Sequence, residues 1–211
     1  IDADNVIALK VDSRESINVP PFGFVIDYMT YGGVYRDVYI DIKEKSHIED
    51  VFVKTKIKTG GLDSATICEV TVANPLEGAT IKQYLRKCTS NKEDTDENED
   101  TKNHLMFKEL ETKTTVSESV NNYSITQFTD RIELWDIDNP NLYEIKTVLF
   151  DKNGEKLDEK TVRFGYRKAV FHKDGFYLNG KRVKIRGLNR HQSYAYTGYA
   201  MPESMQKLDA D

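Results

Sequence analysis

Residues 67–75 read Ile-Cys-Glu-Val-Thr-Val-Ala-Asn-Pro, and this stretch carries the pattern that decides the fold. Cys68, Val70 and Val72 alternate with Ile67, Glu69 and Thr71, so that successive side chains point to opposite sides. A period of two residues indicates a half-buried strand, because side chains on a strand alternate between the two faces of a sheet. Asn74-Pro75 then ends the strand, since this dipeptide marks a turn.

The same alternation recurs along most of the chain. It appears at residues 51–57, 81–85, 104–110, 116–128, 132–134, 143–149 and 161–164. Turn signals separate these segments at Gly60-Gly61, Asn74-Pro75, Asn139-Pro140 and Asn153-Gly154. About seven short strands at a spacing of roughly 8 to 12 residues are typical of an antiparallel β-sandwich. Before the sandwich, residues 6–11 and 34–42 are also predicted to be strands, although Arg36 interrupts the second pattern.

The last fifth of the chain has a different character. Residues 174–185 predict a hairpin around Asn179-Gly180, because Asn-Gly tolerates the positive φ angles of a type I′ turn. Phe176, Leu178, Val183 and Ile185 would share one face of it. A helix is predicted from Pro202 onward, since proline favours an early helical position. Strand, loop and helix in this order open a β/α unit.

Composition and charge exclude several classes of protein. The chain has 211 residues and a formal charge of −5, which argues against a nucleic-acid binder with a basic surface. It contains no apolar run of the roughly 20 residues that span a bilayer.

Cys68 and Cys88 are predicted to be free thiols, as they match no zinc spacing and no dense disulfide framework. Residues 92–103 are acidic without any apolar residue and predict a solvated loop; a calcium loop would need a glycine for its sharp turn.

Two groups of residues are candidates for a ligand site. Asn189, Arg190 and His191 follow the predicted strand 183–187, and they would lie at an active-site face if this strand opened a (β/α)₈ barrel. An ordinary polar loop after a hairpin is the alternative. Asp27 lies within an aromatic stretch, where ring faces and a carboxylate suit a sugar, although loop aspartates commonly stabilise turns instead. No nucleophile elbow, phosphate loop or carboxylate pair can be identified.

Several motifs, in order, resemble glycoside hydrolase family 2, and most closely its β-galactosidase branch. The segment 176–192, with Asn179-Gly180-Lys181 and then Gly187-Leu188-Asn189-Arg190-His191-Gln192, resembles the entry into that family's catalytic barrel. Residues 32–38 resemble the exit from its sugar-binding jelly roll. Leu134-Trp135, the Pro-Asn-Leu-Tyr run at 140–143 and Phe164-Gly165-Tyr166-Arg167 resemble strands of its immunoglobulin-like domain.

The resemblance implies a domain layout and residue roles. Residues 1–43 would be the last jelly-roll strands, 44–166 an immunoglobulin-like sandwich, and 167–211 the hairpin and first strand and helix of a TIM barrel. His191 would contact the galactosyl unit and help to stabilise the transition state, and Asp27 would hydrogen-bond sugar hydroxyls. Asn189 and Arg190 would shape the site. Ala195 stands where many relatives carry proline, which puts the rigidity of that loop in doubt.

The resemblance also implies an activity for a longer parent protein, of which this chain would be an internal fragment. The parent would be a retaining β-glycosidase that hydrolyses terminal β-galactosides with two glutamates located beyond Asp211, so the chain alone should be inactive. A β-glucuronide or β-mannoside stays open as substrate. The partners would be a β-galactoside or related oligosaccharide and further copies of the parent, with no nucleic acid and no membrane.

No cofactor is expected within residues 1–211, while magnesium or sodium is left open for the parent. The compartment is undetermined, with the cytoplasm preferred. A non-catalytic carbohydrate-binding or structural β-sandwich module is the alternative to the hydrolase. The two interpretations differ in the sequence expected beyond Asp211 and in whether Asp27 and His191 lie close together.

Overall fold

The computed structural model describes residues 6–12, 14, 32–57, 64–88, 107–129 and 132–210. The chain divides into two compact units. One unit comprises Ile1–Ile40 together with Arg186–Asp211, and the other comprises Asp41–Ile185. Among the described residues, the strands lie in the larger unit and the helix lies in the smaller one.

The described residues form ten strands and one helix. In chain order they are β1 (His47–Lys56), β2 (Ser64–Ala73), β3 (Thr80–Lys87), β4 (Lys108–Thr115), β5 (Asn122–Thr129), β6 (Tyr143–Phe150), β7 (Lys156–Phe164), β8 (Ala169–His172), β9 (Gly175–Leu178), β10 (Lys181–Val183) and α1 (Glu203–Ala210). Strand β4 begins four residues later than the sequence pattern predicts, and residues 104–106 lie outside the described part.

The first seven strands confirm the predicted antiparallel β-sandwich. One sheet has the order β1-β2-β5 and the other has the order β4-β3-β6-β7, with antiparallel pairing throughout. Residues from both sheets form one hydrophobic core, which includes Ile48, Val70 and Ile125 from the first sheet and Ile81 and Ile145 from the second. The two sheets therefore pack face to face around a shared core.

Strand β2 shows why the alternation predicts this core. Cys68, Val70 and Val72 are all at most 1% exposed, whereas Glu69 between them is exposed. Each of the three apolar side chains removes its surface from water, which is worth about 1.5–3 kcal/mol for a fully buried valine. Burial also raises the pKa of the Cys68 thiol to about 11, so this cysteine stays protonated and unreactive. Both cysteines are free thiols.

Trp135 and Tyr166 meet at one corner of the sandwich. The backbone N–H of Trp135 donates to the carbonyl of Tyr166 over 2.8 Å, and Tyr166 is fully buried. A Cβ atom placed on Gly165 would lie 2.6 Å from Cβ of Trp135, which explains why only glycine fits there. The Trp135 and Phe164–Arg167 motifs of the sequence therefore serve packing, and no ligand contact is needed to account for them.

The predicted hairpin is confirmed and is tied to that corner. Asn179 and Gly180 have φ angles of 50° and 82°, as a type I′ turn requires. Strands β8, β9 and β10 form a three-stranded antiparallel sheet around this turn. The side-chain amide of Asn179 donates to the carbonyl of Trp135 over 2.9 Å, and its oxygen accepts the N–H of Lys168 over 2.9 Å. Asn179 thus fixes the hairpin to the sandwich.

Three predictions of strand structure are wrong. Residues 34–42 and 6–11 form no strand, and Val38 and Ile40 are 68% and 67% exposed. Leu134 is not in a strand either; beside it, Trp135 and Pro140 form a single isolated bridge. The alternation is present in these segments, but a strand also needs a neighbour for its backbone N–H and C=O groups. Within the described residues no such neighbour pairs with them.

The start of the predicted barrel differs in part from expectation. Strand β10 ends at Val183, so residues 184–187 are not in a strand, and Ile185 is 67% exposed instead of sharing the hairpin face. The helix after Pro202 is confirmed, because the carbonyl of Pro202 accepts the N–H groups of Met205 and Gln206 over 3.0 and 3.2 Å. The barrel itself, the assignment of residues 1–43 to a jelly roll and the domain boundaries stay predictions. No helix among the described residues has the length and apolarity to span a bilayer.

Candidate functional site

A pocket of about 320 Å³ lies in the unit that contains residues 32–40 and 186–210. Its lining consists of Tyr35, Arg36, Arg190, His191, Gln192 and Tyr199. Two residues of the sequence-predicted site, Arg190 and His191, are therefore together in this pocket. Asn189 is exposed and does not line it, and Asp27 lies outside the described residues.

Arg190 is held by helix α1. Its Nε donates to Oδ2 of Asp209 over 3.0 Å, and its Nη1 donates to Oε1 of Gln206 over 3.0 Å. The carboxylate of Asp209 offsets the positive charge of the guanidinium, while the planar fork of Arg190 uses two separate donors. Arg190 is thus engaged by protein groups at the edge of the pocket.

Arg36 enters the pocket from a distant part of the chain. Its Nη1 donates to the carbonyl of Tyr199 over 2.8 Å, and its Nη2 lies 3.3 Å from Oε1 of Gln192. The guanidinium also lies 5.0 Å from the ring centre of Tyr35, within cation–π range. Sequence reasoning missed this residue as part of the site. Its position in the alternation could have identified it. The even-numbered residues of segment 34–42 are otherwise apolar, and Arg36 is the one charged residue among them.

Two tyrosine rings complete the pocket. The centres of Tyr35 and Tyr199 are 5.7 Å apart at an angle of 47°. Rings of this kind offer an apolar face and a polar hydroxyl, which is the combination that a sugar ring with C–H patches and hydroxyls requires. The imidazole of His191 and the amide of Gln192 add hydrogen-bonding groups to the same pocket.

None of the six lining residues carries a carboxylate. A retaining glycosidase needs two carboxyl groups about 5 Å apart, one as acid and base and the other as nucleophile. The described residues of this pocket can therefore bind and orient a polar ligand, but they cannot supply either half of that chemistry.

Glu144 on β6 is the buried carboxylate of the described sandwich, and its surroundings argue against a catalytic role. Its Oε2 accepts from Nε of Arg86 over 2.8 Å, and its Oε1 accepts from Nη2 of Arg163 over 2.9 Å. Burial by itself would raise the pKa of Glu144, but hydrogen bonds from Arg163 and Arg86 outweigh it and lower the pKa below its ordinary value. A catalytic acid needs the opposite shift, so Glu144 stabilises the sheet.

The lowered pKa of Glu144 predicts a pH dependence of stability. A carboxylate with a depressed pKa in the folded state contributes stability that is complete above its unfolded pKa and is lost as the pH falls through the folded pKa. We expect Glu144→Gln to cost about 1 kcal/mol at pH 7, because Arg163 is largely exposed and water screens its bond, and to cost less at pH 3, where more of the carboxylate is protonated. Urea denaturation of both proteins at the two pH values measures the difference. Glu133→Gln is the matched control: its partner Lys87 is exposed, so its effect should be small at both pH values.

A metal centre is not apparent in the part of the chain that the structure describes. No three histidine, cysteine, aspartate or glutamate side chains come together there. The acidic residues 92–103 lie outside this part. Among the described residues, the candidate site therefore rests on the pocket around His191.

Comparison with known proteins identifies the family. Residues 46–167 match the family described as Glycosyl hydrolases family 2. The chain is 40% identical over 209 residues to a β-galactosidase from Thermoanaerobacterium thermosulfurigenes, covering 98% of this chain and 27% of that protein. It is 35% identical over 214 residues to a β-galactosidase from Thermoanaerobacter pseudethanolicus, covering 99% of this chain and 26% of that protein.

A solved structure shares the fold. The β-glucuronidase of Parabacteroides merdae superposes with a TM-score of 0.70 at 20% identity, over 94% of this chain and 23% of that one. The chain thus spans about a quarter of the length of these relatives. The match to the family covers the whole seven-stranded sandwich, from β1 to β7. This chain belongs to glycosyl hydrolases family 2.

Proposed function

We propose that this chain is part of a retaining β-glycosidase that removes terminal β-galactosyl units, and that it supplies binding groups without the catalytic carboxylates. The observation that carries the proposal is the pocket in which His191 lies with Tyr35, Tyr199 and Gln192, with no carboxylate among its described lining residues. The similarity to two β-galactosidases supports galactosides as the substrate class.

In this proposal the reaction proceeds through a glycosyl-enzyme. One carboxylic acid protonates the leaving oxygen while a second carboxylate attacks the anomeric carbon, and water then releases the sugar. His191 would donate or accept a hydrogen bond at a galactosyl hydroxyl and strengthen it in the transition state. Asp27 would accept hydrogen bonds from hydroxyls, while Asn189 and Arg190 would keep the loop in place.

The sandwich has a mechanical role in the same proposal. Its two sheets share one packed core, and Asn179 anchors the hairpin that precedes the His191 segment in the chain. A rigid spacer suits an active site whose residues come from separate segments, because catalysis is sensitive to misplacements of about 1 Å. The sandwich would therefore support the site without touching the substrate.

The proposal makes a direct prediction for the chain alone. The purified 211-residue chain should release no nitrophenol from a nitrophenyl β-galactoside, because the described lining of its pocket holds neither of the two carboxyl groups that this reaction needs. The complete protein should hydrolyse this substrate with a higher kcat/KM than the corresponding β-glucuronide or β-mannoside.

If the 211-residue chain still hydrolysed the substrate after repurification, the proposal that it supplies binding groups without the catalytic carboxylates would be wrong. A preference of the complete protein for the glucuronide would overturn the substrate class and leave the glycosidase intact. If the complete protein bound galactose without hydrolysing any β-glycoside, the non-catalytic binding module would replace the hydrolase.

A further inference from the structure

The two neighbours of His191 in the sequence are each anchored to a different part of the unit. Arg190 is bound by Asp209 and Gln206 of helix α1. Gln192 is bound through its side-chain oxygen by Arg36, which is 156 residues away along the chain. The backbone that presents His191 is thus held from both sides. Such an arrangement reduces the freedom of the imidazole before any ligand binds.

Arg36 also fixes the far end of the following loop. Its second hydrogen bond goes to the carbonyl of Tyr199, seven residues beyond Gln192. Between Gln192 and Tyr199 the chain makes a tight turn. The N–H of Tyr194 donates to the carbonyl of Gly198 over 3.2 Å, and the N–H of Gly198 donates to the carbonyl of Tyr194 over 3.0 Å. One guanidinium therefore closes a loop that already has its own internal turn.

We propose that Arg36 is a positioning residue for His191: it clamps the loop 192–199 at both ends and so sets the place of the imidazole in the pocket. The role of His191 rests on the proposed function, whereas the clamp rests on the contacts of Arg36 alone. Arg36 would act through His191 and need not touch the sugar.

The chemistry of the clamp requires arginine. A guanidinium offers donors at fixed angles in one plane, so it can reach a backbone carbonyl and a side-chain amide at the same time. It can also lie against the ring of Tyr35 while it does so. A lysine ammonium is a point charge on a flexible stem and would hold one acceptor while it releases the other.

The first test measures position and does not depend on activity. In the 211-residue chain we expect Arg36→Lys to shift and broaden the His191 ring signals in a ¹H–¹³C NMR spectrum, while those of His172 in the other unit stay unchanged. Gln192→Ala, which removes one of the two acceptors, should change the His191 signals in the same direction. Arg14→Lys is the control, since Arg14 is exposed and bonds to Asp12.

The second test measures coupling in the complete protein. We expect Arg36→Lys to lower kcat for a nitrophenyl β-galactoside about 10- to 100-fold with little change in KM, since it loosens a group that acts in the transition state. In a His191→Ala background the same substitution should have almost no further effect, because residues that act through one another are not additive.

The outcomes separate the clamp from the proposed function. Unchanged His191 signals in both Arg36→Lys and Gln192→Ala would overturn the clamp, and so would equal losses of kcat with and without His191. If the complete protein hydrolysed no β-glycoside, the proposed function would fail, while the NMR result would still decide whether Arg36 positions His191.

Discussion

We expect Tyr166→Ala to lower the free energy of unfolding of the sandwich by about 3–5 kcal/mol, the range observed for large aromatic side chains removed from a core. Tyr166 is fully buried at the end of the sandwich, and its ring meets those of Tyr143 and Phe164 edge-on at centre distances of 4.9 and 5.1 Å. Alanine would remove both contacts and leave a cavity that the rigid corner around Gly165 and Trp135 cannot close.

Tyr166→Phe separates the hydroxyl from the ring. The hydroxyl lies 2.6 Å from Oγ1 of Thr66, and Thr66 is itself only 1% exposed. Phenylalanine keeps the packing but leaves the threonine hydroxyl without this partner in the interior, so we expect a cost of about 1–3 kcal/mol.

Trp135 provides the measurement for both variants. It is the single tryptophan of the chain and its backbone is bonded to Tyr166, so its fluorescence during urea denaturation reports on this unit. Phe171→Ala is the control, since Phe171 is 76% exposed and its loss should change stability by no more than about 0.5 kcal/mol. A cost below about 1 kcal/mol for Tyr166→Ala would contradict the view of this corner as a rigid support.

The sandwich could be predicted from the sequence because its information is local. In β2 the alternation of Cys68, Val70 and Val72 with polar neighbours determines which face is buried, and no knowledge of distant residues is needed. The hairpin at Asn179-Gly180 is local in the same sense, because two positive φ angles demand these residue types. In both cases the residues that determine the structure lie within about ten positions of one another.

The errors arose where the outcome depends on a partner. Segment 34–42 alternates as β2 does except at Arg36, yet it pairs with no described strand, and its apolar side chains remain exposed. A strand is defined by hydrogen bonds to a neighbour, and periodicity cannot say whether that neighbour is present. The same reason explains why Ile185 leaves the face that the hairpin pattern assigned to it.

The candidate site was predictable only in part. His191 and Arg190 were identified from their place after a predicted strand and from the family resemblance, and the structure brings both to one pocket. Arg36 was missed, because its contacts lie 156 and 163 residues away and no local pattern encodes them. The role of Asp27 stays a prediction, since this residue lies outside the described part of the chain.

Under the proposed function we expect His191→Ala to lower kcat/KM of the complete protein for a nitrophenyl β-galactoside by about 10²- to 10³-fold, the loss typical of one preorganised hydrogen-bonding group aimed at the transition state. His191 lies in the pocket with Tyr35 and Tyr199, and its neighbours Arg190 and Gln192 are anchored. Because the backbone stays held on both sides, alanine should remove the imidazole without moving the loop. The loss should therefore appear in kcat more than in KM.

His172→Ala is the matched control for this prediction. His172 is an exposed histidine on β8 in the other unit, where its ring lies edge-on to that of Tyr177 at 5.1 Å. His172→Ala should leave both kcat and KM unchanged, which would show that the loss of a histidine outside the pocket does not by itself change the kinetics. If His191→Ala retained more than about a third of the wild-type kcat/KM, which corresponds to less than about 0.7 kcal/mol of transition-state stabilisation, the pocket would not be the sugar site.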